Sequence, residues 1–384
     1  MTGLSSQELV ALVRRVFRPG PEDRALAFLV DLPDAALGDN TAWKERRELA
    51  LEWAASLAQR RVELGMAVHL YLYRNVRRNN ADLPAGAWAH RFGPLPETAD
   101  ALDAGRLEPF DSVFSTHSIL LAPTEFSATA PLKVAARKFL FRAATMPGFS
   151  AAMEPALALD YEEINRRVDR FKGLLDRATR AEIEFTVAGS GVERLVLDLR
   201  HRTAHASGGV FPQPGTAGNL PSGEAYIVPY EGEVQDTPSL TEGVLPVQLG
   251  DEVVRYAVRS NRAVHVLSHG PRSDSEAALL ASEPAYGNLA ELGLGVLDAF
   301  GVKPVGELLL DEKLGLHIAF GRSEHFGGQV GPSAFSSPDA VVHIDRVYLP
   351  SVQPKVSVTR MDLLFDDAPA LPLIRNDAYC VKWE

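Results

Sequence analysis

The sequence predicts an α/β N-terminal domain with a parallel sheet, over residues 1–155, and an α+β C-terminal domain rich in antiparallel strands, over 156–384. Three observations carry that expectation. Apolar runs of strand length alternate with helix-period segments through the first 144 residues, as in a parallel sheet covered by helices. Beyond residue 180 the runs shorten and Gly, Pro, Asn and Asp turns separate them, the texture of antiparallel sheets. A charged amphipathic segment, DYEEINRRVDRFKGLLDRATRA at 160–181, stands between the two textures, and Pro155 precedes it.

Residues 1–18 read as an amphipathic helix with Ser5 and Glu8 in capping-box spacing, and they lack the apolar core of a signal peptide. RALAFLVDL at 24–32 is a buried strand. Residues 41–59 follow with Trp43, Leu49, Trp53 and Leu57 at helical spacing, and MAVHLYLY at 66–73 is a second strand. FDSVFSTHSILLAP at 110–123 is expected as a further strand and 130–144 as a helix. No GxGxxG follows the first strand, so no dinucleotide site is expected. In the second domain the expected strands are 183–187, 194–199, 224–229, 244–248, 252–258 and 263–268, with 288–300 a loop entering a helix.

A chain of 384 residues, 46% hydrophobic and 23% charged, has the material for two ordinary globular cores. Its net charge of −11 argues against nucleic acid or an acidic membrane surface as partner. No uncharged apolar run approaches the ~18–20 residues that a membrane helix needs. The single cysteine, Cys380, excludes an intrachain disulfide and suits a reducing cytoplasm; it is expected as a small apolar residue near the C-terminus.

Residues 288–350 concentrate metal-ligand types: Glu291, Glu312, His317, Glu324, His325, His343 and Asp345. The stretch 340–349 (AVVHIDRVYL) is apolar and β-branched, a strand. Side chains alternate faces along a strand, so His343 and Asp345 share one face and Val342 and Ile344 the other. In 315–320, His317 likewise opposes Leu316 and Ile318. Imidazoles and carboxylates on neighbouring strands make a mixed N/O site that suits Zn, Co, Mn or Fe better than Mg or Ca. Buried without a cation, such groups lose hydration uncompensated. Taken singly they have plainer roles open to them. Glu291 could be a carboxylate favoured at a helix N-terminus, His317 a satisfied core histidine, Glu224 and Glu312 surface turn acids, Glu324 and His325 an exposed loop pair. His265 and His269 are expected on the surface, His201 and His205 in a β region without a functional role, and His69, His90 and His117 in structural roles.

From about Tyr161 to Tyr348 the order of motifs resembles the aminopeptidase T family of metallopeptidases. The matching pieces are GNLPSGEAY at 218–226, GNLAELGLG at 287–295, DEKLGLHIAFGRS at 311–323, Gly327 with Gly328, and VVHID at 341–345. The resemblance implies two divalent metal ions side by side, Zn, Co or Mn, with Fe a further candidate. It implies Glu224 as a terminal ligand, Glu291 as the carboxylate that touches both ions, and Glu312, His317, His343 and Asp345 as the other ligands. Two cations ~3.5–4 Å apart need shared carboxylates to offset their repulsion, and such a pair can activate water and polarise a carbonyl. The turn Pro221, Ser222, Gly223 would aim Glu224 inward. The implied activity is that of a cytoplasmic metallo-aminopeptidase-like hydrolase acting on a small peptide or amide substrate, with Glu291 or Glu324 moving the proton. The implied assembly is a homodimer with the site enclosed between subunits; neither nucleic acid nor a membrane is an expected partner.

One position departs from the family pattern. Where the family has a tyrosine seven residues after the first histidine, this chain has Glu324, followed by His325; Arg322 and Ser323 still match. An ionised carboxylate cannot donate a hydrogen bond. Glu324 is therefore a candidate ligand or general base, and Arg322 and His325 are candidate contacts to metal or substrate. Two alternatives stay open. A similar branch, the dihydroxypyridine dioxygenases, holds one iron with two histidines and a carboxylate, which His317, His343 and Asp345 could supply; that branch lacks the glutamates retained here. The other is a metal-holding member without peptidase activity, its chemistry altered by Glu324.

Overall fold

The computed structural model describes residues 3–383. The chain divides into two compact units: one takes the chain up to Asn165 together with Ser207–Ser222, the other Arg166–Ala206 and everything from Gly223.

The first unit is built on a seven-stranded sheet in the order Thr216–Asn219, Arg142–Thr145, Ile119–Ala122, Ala25–Leu32, Ala67–Arg74, Gly86–His90, Glu108–Pro109. The first five strands run parallel and the last two add antiparallel pairings. Ala25–Leu32 is buried along its whole length, which is why it reads as an unbroken apolar run. Ser6–Phe17 is a helix with the capping box of Ser5 and Glu8 formed; Met1 and Thr2, within the expected helix 1–18, lie outside the described residues. Thr41–Gln59 is the second helix, its first turn closed by the Asn40 side chain accepting from Trp43 N.

Two expectations fail in this unit. Within 110–123 the first half is a helix, Phe110–Thr116, and only Ile119–Ala122 is a strand. Phe110, Val113 and Phe114 are buried together, spaced by three and four, a helical stripe interleaved with Asp111, Ser112, Ser115 and Thr116. Within 130–144 the helix is Thr129–Phe139; Leu140 turns left-handed at φ 61° and Arg142–Thr145 becomes a sheet strand.

The second unit carries two sheets. The larger has eight strands in the order Arg262–Val266, Glu252–Arg259, Glu242–Leu249, Gly191–Asp198, Arg180–Val187, Val356–Leu364, Leu371–Arg375, Ala378–Tyr379, paired antiparallel throughout. The smaller has five: His343–Val347, Leu316–Gly321, Leu289–Gly295, Glu224–Ile227, His205–Ser207. Leu289–Gly295 corrects the expected loop at 288–300. It is a fully buried strand between two antiparallel partners, and the rest of 288–300 holds a short helical turn, Leu297–Phe300. LAELGLG has no β-branched residue and two glycines, so local propensity argues against a strand; cross-strand packing overrides it. The charged helix Tyr161–Arg177 buries Tyr161, Ile164, Val168, Phe171 and Leu175, one stripe at helical spacing. Cys380 is exposed rather than packed as an apolar residue. Among the described residues no helix is long and apolar enough to cross a membrane.

Candidate metal centre

The five-stranded sheet presents the ligand types on one face because its strands alternate with period two and pair in a register that aligns them. Glu291 pairs with Ala319, and Ala319 with Asp345; Gly293 pairs with His317; Gly321 pairs with His343; Glu224 pairs with Gly295. Carboxylates and imidazoles thus alternate with glycine and alanine across the face. The small residues leave room for the large ones.

Two groups of ligand atoms result, each with its atoms within 4.8 Å of one another: Glu224, Glu291 and His317, and Glu291, His343 and Asp345. Glu291 belongs to both. Its Oε1 lies 3.2 Å from His317 Nε2 and its Oε2 3.4 Å from His343 Nε2. His317 Nε2 is also 3.4 Å from Glu224 Oε2, and His343 Nε2 is 3.6 Å from Asp345 Oδ1. Both imidazoles are oriented from behind. His317 Nδ1 is 3.2 Å from the Gly315 carbonyl and His343 Nδ1 is 2.8 Å from the Arg322 carbonyl. A carbonyl only accepts, so each Nδ1 carries a hydrogen and each Nε2 is turned into the cluster, as a metal-binding imidazole is held.

Glu312 and Glu324 belong to neither group. Glu312 is bonded to Lys313 Nζ, which also donates to Glu224 Oε1 at 2.6 Å. Burial pushes the Glu312 carboxyl up to about 8 although the neighbouring ammonium opposes it. Glu324 is gripped by the Arg322 guanidinium, at 2.6 and 2.8 Å, and its side chain is 39% exposed. His325 packs its ring against Phe326 at 3.8 Å between centroids and lies 5.4 Å from His343; burial, then the charge of His343, lower it to about 4.

Electrostatics account for the cluster's protonation. Burial works against the charged form of every member. For Glu291 the hydrogen bonds with His317 and His343 outweigh burial and hold the carboxyl down to about 2. For His317 the surrounding carboxylates outweigh it and lift the imidazole to about 9, and Asp345 and Glu291 likewise lift His343 well above its usual range. Asp345 is held well below the usual carboxylate range by His343 despite burial. Glu224 is raised, burial exceeding the pull of Lys313 and His317.

The donor set fits divalent metal. Four carboxylates, Glu224, Glu291, Glu312 and Asp345, are almost withdrawn from solvent, and among the described residues Lys313 is the one ammonium bonded to them. Glu224 Oε2 is buried and, beyond the 3.4 Å contact with His317 Nε2, has no hydrogen-bond partner among the described residues. Protons on two imidazoles supply the remaining compensation, on the same Nε2 atoms that a cation would take.

Two participants escaped sequence reasoning. Lys313, 2% exposed, sits in LLLDEKLGLHI, and a lysine inside an apolar stretch signals a buried, paired ammonium. Tyr226 follows Glu224 by two and so shares its face; burial, then the charges of Glu291 and Glu224, push its phenol up. His205, expected in a β region without a functional role, stacks on Tyr226 at 5.1 Å and lies 3.0 Å from the Phe326 carbonyl through Nε2.

No protein-family model matches the chain, and no curated protein does. Solved structures do. The chain is similar to 2,5-dihydroxypyridine dioxygenase from Pseudomonas putida, with a TM-score of 0.63 and 14% identity over 99% of each chain. It is also similar to wild-type AmpT from Thermus thermophilus, with a TM-score of 0.56 and 17% identity over 98% of each chain. At these identities the likeness is one of fold.

Proposed function

We propose that this chain is a dinuclear metal-dependent hydrolase that releases N-terminal residues from short peptides, as an aminopeptidase does. The observation that carries the reading is the double membership of Glu291, whose two oxygens face two separate ligand groups. A carboxylate in that position is what two adjacent cations require. Glu224 and His317 would hold one ion, His343 and Asp345 the other, and Glu291 both. Bound there, divalent ions polarise a carbonyl and lower the pKa of a water.

The remaining work falls to the chain. The Gly315 and Arg322 carbonyls hold the imidazoles in position, Lys313 holds Glu224 and Glu312 in place and opposes the burial that raises both carboxyls, and the buried sheet face excludes bulk water. A Glu291 engaged on both oxygens has little basicity left. Glu324, outside both groups and next to His325, is the carboxylate that takes the proton and returns it to the leaving amine, once its fork with Arg322 opens.

The dioxygenase reading would put one iron on His317, His343 and Asp345. Those three do not form one group among the described residues; Glu291 stands between His317 and the other two. The test is elemental analysis of protein purified without chelator, followed by assay. Two equivalents of Zn, Co or Mn, with free amino acid released from short peptides and lost in Glu291→Gln, support the hydrolase. One iron with oxygen uptake on a hydroxylated pyridine overturns it, and so does the absence of peptide turnover under every metal.

A further inference from the structure

Tyr226 pairs across the sheet with Gly293, and Gly293 pairs with His317. The row therefore runs from tyrosine to imidazole over a position with no side chain. The tyrosine ring is held on two sides: stacked on His205 at 5.1 Å and edge-on to Phe326 at 4.8 Å. His205 is itself tied to the Phe326 backbone. A ring so wedged has little freedom, and its hydroxyl is aimed by packing.

That hydroxyl is uncommitted. Four other tyrosines of this unit have partners, Tyr230 donating to the Thr237 carbonyl, Tyr348 to the Pro246 carbonyl, and Tyr256 and Tyr286 both to Glu276, while the Tyr379 hydroxyl, away from the ligand groups, has none among the described residues. Tyr226, 9% exposed, has no such bond among the described residues. The other donors around the cluster are engaged, Lys313 with Glu224 and Glu312, Arg322 with Glu324. A hydroxyl without a protein partner among the described residues, on a wedged ring that feels the charges of Glu291 and Glu224, is free to donate to an acceptor.

We propose that the Tyr226 phenol is the hydrogen-bond donor this centre offers to an oxygen of its ligand, either the carbonyl oxygen under attack or an oxygen of a tetrahedral oxyanion standing in its place. The proposal rests on the metal-centre reading, and its test separates the two. Inorganic phosphate serves as the tetrahedral probe. Zinc-loaded wild type and Tyr226→Phe are titrated with phosphate by calorimetry, and each protein is titrated with zinc alone beforehand. The variant removes one oxygen atom and keeps the ring that packs on His205 and Phe326.

The expected result is unchanged zinc affinity and a phosphate Kd raised about tenfold, the effect of one lost hydrogen bond. Where peptide is turned over, kcat falls on the order of 10²-fold with KM unmoved. Equal phosphate affinities in the two proteins overturn the proposal, as does a zinc-loaded wild type that binds no phosphate. A variant that loses zinc affinity in step with phosphate affinity also overturns it, because the hydroxyl would then act on the ligand side chains. Failure of the wild type to bind zinc, or any of Co, Mn and Fe, sinks the centre itself and the proposal with it.

Discussion

The His317 imidazole occupies the space in which a side chain at position 293 would stand: a Cβ built on Gly293 would come within 1.8 Å of Nε2 and 2.1 Å of Cε1. Glycine is required there by the close approach of a neighbouring ring, and the ring is required by the cluster. Gly293→Ala is therefore expected to push His317 away from Glu291 and Glu224 while the sheet persists. Metal affinity should fall by about 10–100-fold, as it does when a ligand loses its orientation. Competition with a chelator measures it, and circular dichroism checks the fold. Unchanged affinity would remove His317 from the ligand set.

Metal should stabilise the folded chain. The carboxylates bonded around Lys313 and the two imidazoles are buried together, and a cation that binds only the folded state adds about 2.7 kcal/mol at 100 times its Kd. The expected observation is a rise in the thermal midpoint with Zn, Co or Mn that chelator reverses. Glu291→Gln should abolish most of the rise, since it weakens both groups at once. A midpoint indifferent to every metal would mean that Lys313 and the imidazole protons already suffice.

Glu231 ties the segment that carries Arg322, Glu324 and His325 to the sheet. Its Oε1 accepts from Ser323 Oγ at 2.6 Å and Asn288 Nδ2 at 2.8 Å; its Oε2 accepts from the Gln329 backbone N–H at 2.5 Å and faces Arg202 at 3.3 Å. Glu231→Gln would turn one acceptor into a donor among donors, in a side chain only 7% exposed. The expected cost is about 1–3 kcal/mol of stability, read by urea unfolding. Because the Arg322 carbonyl orients His343, metal binding should weaken as well. A loss of stability with metal affinity unchanged would show that the segment does not hold His343.

Asp31 gives the first unit a pH dependence of its own. Burial raises its carboxyl from 3.8 to about 6, against hydrogen bonds from the Glu125 and Phe126 backbone and the Trp43 indole. Between those values the folded chain holds a proton that the unfolded chain has released. This contribution to stability is full below pH 3.8 and is lost as pH rises through about 6. A rise of that size corresponds to about 3 kcal/mol. Asp31→Asn should flatten that slope, so the stability difference between wild type and variant should change across pH 4–6 and level off above about pH 7. Parallel profiles would show that Asp31 does not titrate in that window.

Much of the fold was legible because its signals are local. The capping box of Ser5 and Glu8 and the buried run of Ala25–Leu32 need only neighbouring residues to read. The Phe110–Thr116 helix carried a local signal, Phe110, Val113 and Phe114 at helical spacing among polar residues, that is lost when the segment is merged with the apolar Ile119–Ala122 into one strand. Leu289–Gly295 was misread for the opposite reason: its glycines, which argue against a strand locally, are what its neighbours require.

By itself, the amino-acid order determined the two sheet textures, the inventory of carboxylates and imidazoles, and the shared face of His343 and Asp345, since period two is a property of the strand alone. Only the tertiary structure decided which of those groups meet. Lys313 reaches Glu224 across 89 residues of chain, and His317 reaches Glu291 across 26. The same pairing brought Tyr226 in line with His317, whereas Glu312 with Lys313 and Glu324 with Arg322 are contacts between near neighbours in the chain. Register between strands is set by long-range pairing and packing, and no local pattern encodes it.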